Sequence, residues 1–118
     1  MHSRLFPVLV GGAALLLSTS VHPQQTPDAT STAASQQAIV TRYCVSCHNE
    51  RAKTGGLSLE KMPLASVGDH PEVWEKVVQK LHGNLMPPPD RPRPDSATLK
   101  NLVAYLERSL DRLDSSAT

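Results

Sequence analysis

Apolar side chains recur at helical spacing in three stretches of the chain, which are separated by segments rich in glycine and proline. In the first stretch, Ile39, Val40 and Tyr43 occupy positions i, i+1 and i+4 and share one side of a helix. Ser35, which precedes them, belongs to a residue type preferred at the N-cap. The pattern predicts a short helix that runs directly into the segment YCVSCHN.

The second stretch, HPEVWEKVVQKLHG, has Pro71 at a first-turn position and reaches a helix-ending glycine at Gly83. Glu72 and Glu75 lie near its N-terminus, where the helix dipole favours negative charge. The apolar side chains on its predicted inner face are Val73, Trp74, Val77, Val78 and Leu81. A second helix is therefore expected here.

The third stretch, DSATLKNLVAYLERSLDRL, follows a capping residue, either Asp95 or Ser96. Its predicted inner face consists of Leu99, Leu102, Val103, Leu106, Leu110 and Leu113. Alternation typical of a strand occurs only briefly, in LSLEKM at residues 57–62. We therefore predict an all-α fold with three main helices.

The first 35 residues have a different composition from the rest. Residues 1–20 combine a basic start, an apolar run and a small polar end, which is typical of a cleaved signal peptide. The apolar run is shorter than the roughly 20 residues that cross a bilayer, so stable membrane insertion after cleavage is not expected. Residues 21–35 predict a disordered linker, which leaves residues 36–114 as the folded domain. Export predicts a bacterial periplasmic location.

The charge and size of the chain narrow the range of possible functions. Removal of residues 1–20 takes away Arg4 alone among the charged side chains and leaves as many basic as acidic residues. A neutral domain of this kind does not have the basic excess that nucleic-acid binding requires. Domains this small usually depend on a disulfide, a metal or a partner, and a large apolar cofactor would also enlarge the core.

Both cysteines of the chain lie in YCVSCHN, and a histidine follows the second. On a helical turn, Cys44, Cys47 and His48 share one face because they are three and four residues apart. This arrangement matches haem c attachment, in which two thiols bond to the porphyrin and the adjacent histidine ligates the iron.

Other roles for the two cysteines remain open at this point. A thiol–disulfide oxidoreductase normally carries its CxxC after a strand in a βαβ pattern, and no such strand precedes Cys44. A zinc site needs three or four ligands, and a second cysteine pair is missing. An inert disulfide is the remaining alternative.

A haem iron in an electron carrier usually has a second axial ligand, most often a methionine sulfur. Met86 lies between the second and third helices, and the prolines that follow it stiffen the loop. It is 38 residues from His48, which leaves enough chain to reach the opposite haem face, whereas Met62 is only 14 residues away and is expected to fill the core. The alternatives for the second axial position are His82 or no protein ligand.

Five sequence features, CVSCHN, GGLSL, the helix with Trp74, LMPPP and LVAYLERSL, together resemble a class I c-type cytochrome domain. More narrowly, they resemble the planctomycete-type cytochrome c module, over residues 36 to about 113. The resemblance implies a small cytochrome c fold around one covalently bound haem c. It also implies that Leu57, Leu59 and Trp74 line the haem.

Position by position, the resemblance implies thioether bonds at Cys44 and Cys47, with His48 and Met86 as the two iron ligands. Many class I cytochromes have a proline about ten residues after the histidine whose carbonyl holds the imidazole, but this chain has RAKTGGLSL there. A hydrogen bond from the His48 ring to another carbonyl is nevertheless expected.

The expected function is single-electron transfer between periplasmic redox partner proteins, as a monomer or as a subunit of a larger redox assembly. One alternative is the haem domain of a larger oxidoreductase or of a gas-binding sensor, in which Met86 would leave the iron. The other is a CxxC thiol–disulfide oxidoreductase.

Overall fold

A computed structural model describes residues 31–118. The predicted signal peptide, 1–20, and most of the predicted linker, 21–35, lie outside the described residues. No helix within residues 31–118 is both long enough and apolar enough to cross a membrane.

Three α-helices form most of the described domain: α1, Ala33–Tyr43; α2, Pro71–His82; and α3, Ser96–Ser116. Two short 3₁₀ segments, Thr54–Gly56 and Leu64–Asp69, lie between α1 and α2. Since the described residues contain no strand, the predicted all-α fold of three main helices is confirmed.

The helix ends show how local chemistry sets these boundaries. Asp95 caps α3, accepting a hydrogen bond of 2.8 Å from the Thr98 N–H, and Gly83 ends α2, both as predicted. The expected cap of α1 is wrong, because Thr32 caps the helix and its hydroxyl oxygen accepts from the Ser35 N–H at 3.1 Å. Since two alanines, which favour helix, follow Thr32, the helix starts three residues before the expected position.

The core is one cluster of buried apolar side chains contributed by every major element. Its members are Val40, Leu59, Leu64, Val67, Trp74, Val78, Leu81, Leu102 and Leu106. Trp74 and Leu106 are completely inaccessible to solvent. α3 packs against both α1 and α2, and the 3₁₀ segment Leu64–Asp69 contacts all three helices. α1 and α3 therefore share this core.

Polar contacts fix the 3₁₀ segment between the helices. The Leu64 N–H donates to Oε1 of Gln37 on α1 at 2.8 Å, and the Leu64 carbonyl accepts from the Tyr105 hydroxyl on α3 at 2.9 Å. Both backbone polar groups of one buried residue are thereby satisfied by side chains from two helices, which aligns these helices relative to each other.

Replacement of Tyr105 by Phe removes this hydroxyl and leaves the ring in place. We expect the free energy of unfolding to fall by about 1 kcal/mol, because the Leu64 carbonyl loses its donor. Urea denaturation followed by circular dichroism measures the loss. Tyr43→Phe is the matched control, since the Tyr43 hydroxyl has no hydrogen bond to another described residue; equal losses in the two variants would contradict the assignment.

Candidate functional site

The two cysteines and the histidine occupy a single tight turn at the C-terminus of α1. The Cys44 N–H still bonds to the Val40 carbonyl at 2.9 Å, so the turn continues directly from the helix. The Cys44 carbonyl then accepts from the N–H groups of Cys47 at 3.2 Å and His48 at 2.9 Å. The spacing of three and four residues therefore has the helical backbone geometry that the sequence predicts.

Asn49 holds the next part of the loop, a role that the sequence reasoning missed. Its side-chain N–H group donates to the carbonyls of Val45 at 2.8 Å and Ser46 at 3.1 Å. Its side-chain oxygen accepts from the N–H groups of Arg51 at 3.0 Å and Ala52 at 2.8 Å. The available sequence signal was an asparagine immediately after the motif, because this residue type stabilises turns through its own side chain.

The loop then returns the chain to the motif. The Thr54 N–H donates to the Cys47 carbonyl at 3.2 Å, and the Leu59 N–H donates to the His48 carbonyl at 2.9 Å. Gly55 and Gly56 both have positive φ angles, 66° and 75°, which glycine adopts without steric cost. As a result, Leu59 is buried in the core and Leu57 packs at its edge.

The environment of the thiols differs from that of a redox-active dithiol. Cys44 and Cys47 are free and partly buried. Burial raises the pKa of the Cys44 thiol to about 11, whereas catalytic and redox-active cysteines have lowered pKa values. Within residues 31–118, no group of three or more His, Cys, Asp or Glu side chains is placed to hold a metal ion.

Two buried ring nitrogens have no hydrogen-bond partner in the described protein. They are Nδ1 of His48 and Nε1 of Trp74. The predicted bond from the His48 ring to a backbone carbonyl is therefore not formed by Nδ1, in a loop that has RAKTGGLSL where related domains have a proline. Buried polar atoms normally have partners. The unpaired indole of Trp74 fits a domain that is completed by a bound group.

Met86 lies in the loop between α2 and α3 and packs against the core cluster, as Cys44 does. Pro87, the next residue, is buried. Met62 also packs against the core, in agreement with its expected role. His82 is exposed at the end of α2, where its Nε2 lies 2.6 Å from Oε1 of Glu107, so its ring is engaged by α3.

The structure thus places five of the predicted residues in or against one core. Leu59 and Trp74 belong to the core cluster, and Leu57, Cys44 and Met86 pack against it. Two surface cavities of the described residues, of about 330 and 630 Å³, are lined by other residues, the first between α2 and α3 and the second beside Val45 and Asn49.

Asn49→Ala tests the loop organisation. Four hydrogen bonds are lost, so we expect the amide protons of Arg51 and Ala52 to exchange faster and the free energy of unfolding to fall by about 2 kcal/mol. Hydrogen exchange and urea denaturation measure these effects. Asn101→Ala removes the same side chain from an exposed position on α3, and unchanged exchange at Arg51 and Ala52 in Asn49→Ala would show that the side chain does not organise the loop.

Comparison with known proteins was made with family models, curated proteins and solved structures. The model of the family described as "Cytochrome C oxidase, cbb3-type, subunit III" matches residues 31–106, which extend from the N-cap region of α1 into α3. Searches of curated proteins and of solved structures found no match. The family match covers more than half of the chain and includes the CxxCH turn and Met86. The chain therefore belongs to this cytochrome family and is a class I c-type cytochrome domain, of a kind that carries covalently bound haem c.

Proposed function

We propose that this chain is an exported cytochrome with a single haem c, which carries single electrons between redox partner proteins. The observation that carries the proposal is the Cys44–His48 turn, which continues α1 inside a domain of a c-type cytochrome family. When bound, the haem supplies an iron ion that alternates between the ferrous and ferric states. Membership of the family supports electron transfer, and the details below rest on this chain's own residues.

The turn provides the attachment chemistry. Cys44 and Cys47 are free thiols three residues apart, and we assign them the two thioether bonds. His48 follows directly and supplies an imidazole that the two backbone bonds at its N–H and C=O hold in a fixed loop. A ligand on a rigid turn keeps its position when the charge of the metal changes, which favours rapid electron transfer.

Met86 is assigned as the second axial ligand. Its side chain packs against the core from the loop after α2, and the buried Pro87 beside it restricts the backbone. A thioether is a soft, uncharged ligand that stabilises the reduced iron and raises the potential relative to a second histidine. His82, the other candidate nearby, is paired with Glu107 at the surface instead.

Leu57, Leu59 and Trp74 are assigned to the apolar lining around the haem. Leu59 and Trp74 are buried and Leu57 is partly buried. Their role is to exclude water, which raises the cost of the more highly charged ferric state and so favours the reduced one. The Trp74 indole N–H, which has no acceptor within residues 31–118, adds one donor to this otherwise apolar surface.

The wider setting is also part of the proposal. The composition of residues 1–20 supports export to the bacterial periplasm, followed by cleavage, and residues 21–35 support a linker. The motifs CVSCHN and LMPPP support a planctomycete-type cytochrome c module. Within this setting the domain acts as a monomer or as a subunit of a larger redox assembly, and its partners are other redox proteins.

The ligand assignment is tested with Met86→Ala and, as a matched control, Met62→Ala, both produced in a host that attaches haem c. Wild type and Met62→Ala are expected to show a c-type spectrum with a near-infrared sulfur-to-iron band, whereas Met86→Ala loses this band because its side chain has no sulfur. Absorption spectra of the oxidised and dithionite-reduced proteins show the c-type spectrum and the presence or loss of the band.

Two results would contradict the proposal. A colourless wild type with two reactive thiols would favour a thiol–disulfide oxidoreductase. A coloured wild type that lacks the band and binds carbon monoxide readily when reduced would favour an open iron position, as in a gas sensor or the haem domain of an oxidoreductase.

A further inference from the structure

The loop that carries Met86 is held from both sides by one side chain, that of Arg93. Nη1 of Arg93 donates to the Pro87 carbonyl at 2.6 Å, and Nη2 donates to the side-chain oxygen of Asn84. Asn84 lies two residues before Met86, and Pro87 lies directly after it. The guanidinium therefore bridges the two ends of the short segment 84–87, which contains Met86.

Few other hydrogen bonds hold this segment in position. Its N-terminal side is tied to α2 by the Leu85 N–H, which donates to the Lys80 carbonyl at 2.9 Å. After Met86, three consecutive prolines have no N–H to donate. Arg93 is the donor that the structure provides for the Pro87 carbonyl. The C-terminal half of the segment is thus anchored by a side chain rather than by a backbone ladder.

The two acceptors suit an arginine better than a lysine. A guanidinium is planar and permanently charged, and its separate N–H groups can bind two acceptors at once in a fixed geometry. Asn84 has a left-handed backbone, with φ of 56°, a conformation that asparagine tolerates better than most residues. This backbone conformation and the bond to Arg93 occur at the same residue. The bond to the Pro87 carbonyl is partly buried, where such bonds are stronger than in water, whereas the bond to Asn84 is exposed.

We propose that Arg93 is a positioning residue for the axial methionine: its guanidinium clamps Asn84 and Pro87 and thereby keeps the Met86 sulfur on the iron. This inference rests on the proposed ligation by Met86. Arg93 acts on the methionine through the loop, so its loss increases the fraction of molecules in which the loop opens while the helices remain folded.

Arg91 provides a matched control in the same loop. Its side chain is exposed, and its Nε lies 3.9 Å from a carboxylate oxygen of its neighbour Asp90. Its N–H bonds to the Pro88 carbonyl at 3.0 Å, but this backbone bond survives any side-chain replacement except proline. Arg91→Gln therefore removes the same charge as Arg93→Gln, two residues away, without touching the clamp.

The test measures imidazole binding to the ferric holoprotein, because imidazole can bind the iron only when the methionine has left it. For Arg93→Gln we expect an affinity about tenfold higher than wild type, because both charge-assisted hydrogen bonds of the clamp are lost. Arg93→Lys retains the charge but not the two-sided geometry, and an intermediate affinity is expected. Arg91→Gln should match wild type. Urea denaturation of the same proteins separates loop opening from global unfolding.

The outcomes distinguish this inference from the proposed function. If wild type has the sulfur-to-iron band and Arg93→Gln binds imidazole no better than Arg91→Gln, the clamp is refuted and ligation by Met86 stands. If wild type has no such band, ligation by Met86 fails, and the inference fails with it.

A second variant covers the case in which Arg93→Gln does not fold. Asn84→Gly removes one acceptor of the clamp and accommodates the left-handed backbone without strain. Imidazole affinity several-fold above wild type is then expected, and an unchanged affinity overturns the proposal.

Discussion

The packing of α3 across both α1 and α2 is the interaction on which the rest of this structure depends. The CxxCH turn follows α1, and Met86 lies in the loop after α2, so the turn and the proposed methionine ligand follow different helices. The two α3 side chains Leu102 and Leu106 are buried in the core that these helices share. Because α3 contacts both helices, it determines where the turn and the methionine loop lie relative to each other.

Apolar packing fixes the helices, but polar side chains fix the loops. Asn49 organises the chain after His48, and Arg93 anchors the segment around Met86. In both places the backbone lacks a regular ladder, either because the turn is too tight or because prolines remove the donors. A side chain with several donors or acceptors then replaces the missing backbone bonds. The functional loops of this domain are therefore ordered by single residues, which makes them sensitive to single substitutions.

The sequence predicted what depends on local periodicity and on chemistry that is local in the chain. The helical faces of α2 and α3, the caps Asp95 and Gly83 and the helical geometry of the CxxCH turn all follow from residues within a few positions of one another. The predicted N-cap of α1 was wrong because threonine and serine are both favourable N-cap residues, and the sequence pattern does not distinguish Thr32 from Ser35.

Long-range polar contacts could not be predicted in the same way. The Tyr105 hydroxyl and the Leu64 carbonyl are 41 residues apart and meet only because α3 packs on the 3₁₀ segment. Arg93 is closer in sequence to its acceptors, yet its role depends on the left-handed backbone at Asn84, which sequence periodicity does not encode. The positions of Met86 and the CxxCH turn could thus be predicted, whereas the residues that hold them could not.

Two buried nitrogens without a partner within residues 31–118, Nδ1 of His48 and Nε1 of Trp74, bear on the stability of this domain. The described protein offers neither of them a partner, although both are buried. An unsatisfied buried group costs about 1–3 kcal/mol, and small domains are stable by only about 5–15 kcal/mol. A bound group that accepts from the Trp74 indole, and that adds apolar surface to the nine buried side chains of the described core, stabilises the folded state and not the unfolded one. In a c-type cytochrome domain the covalent attachment of haem c makes this stabilisation permanent, so a domain of this family draws part of its stability from its cofactor.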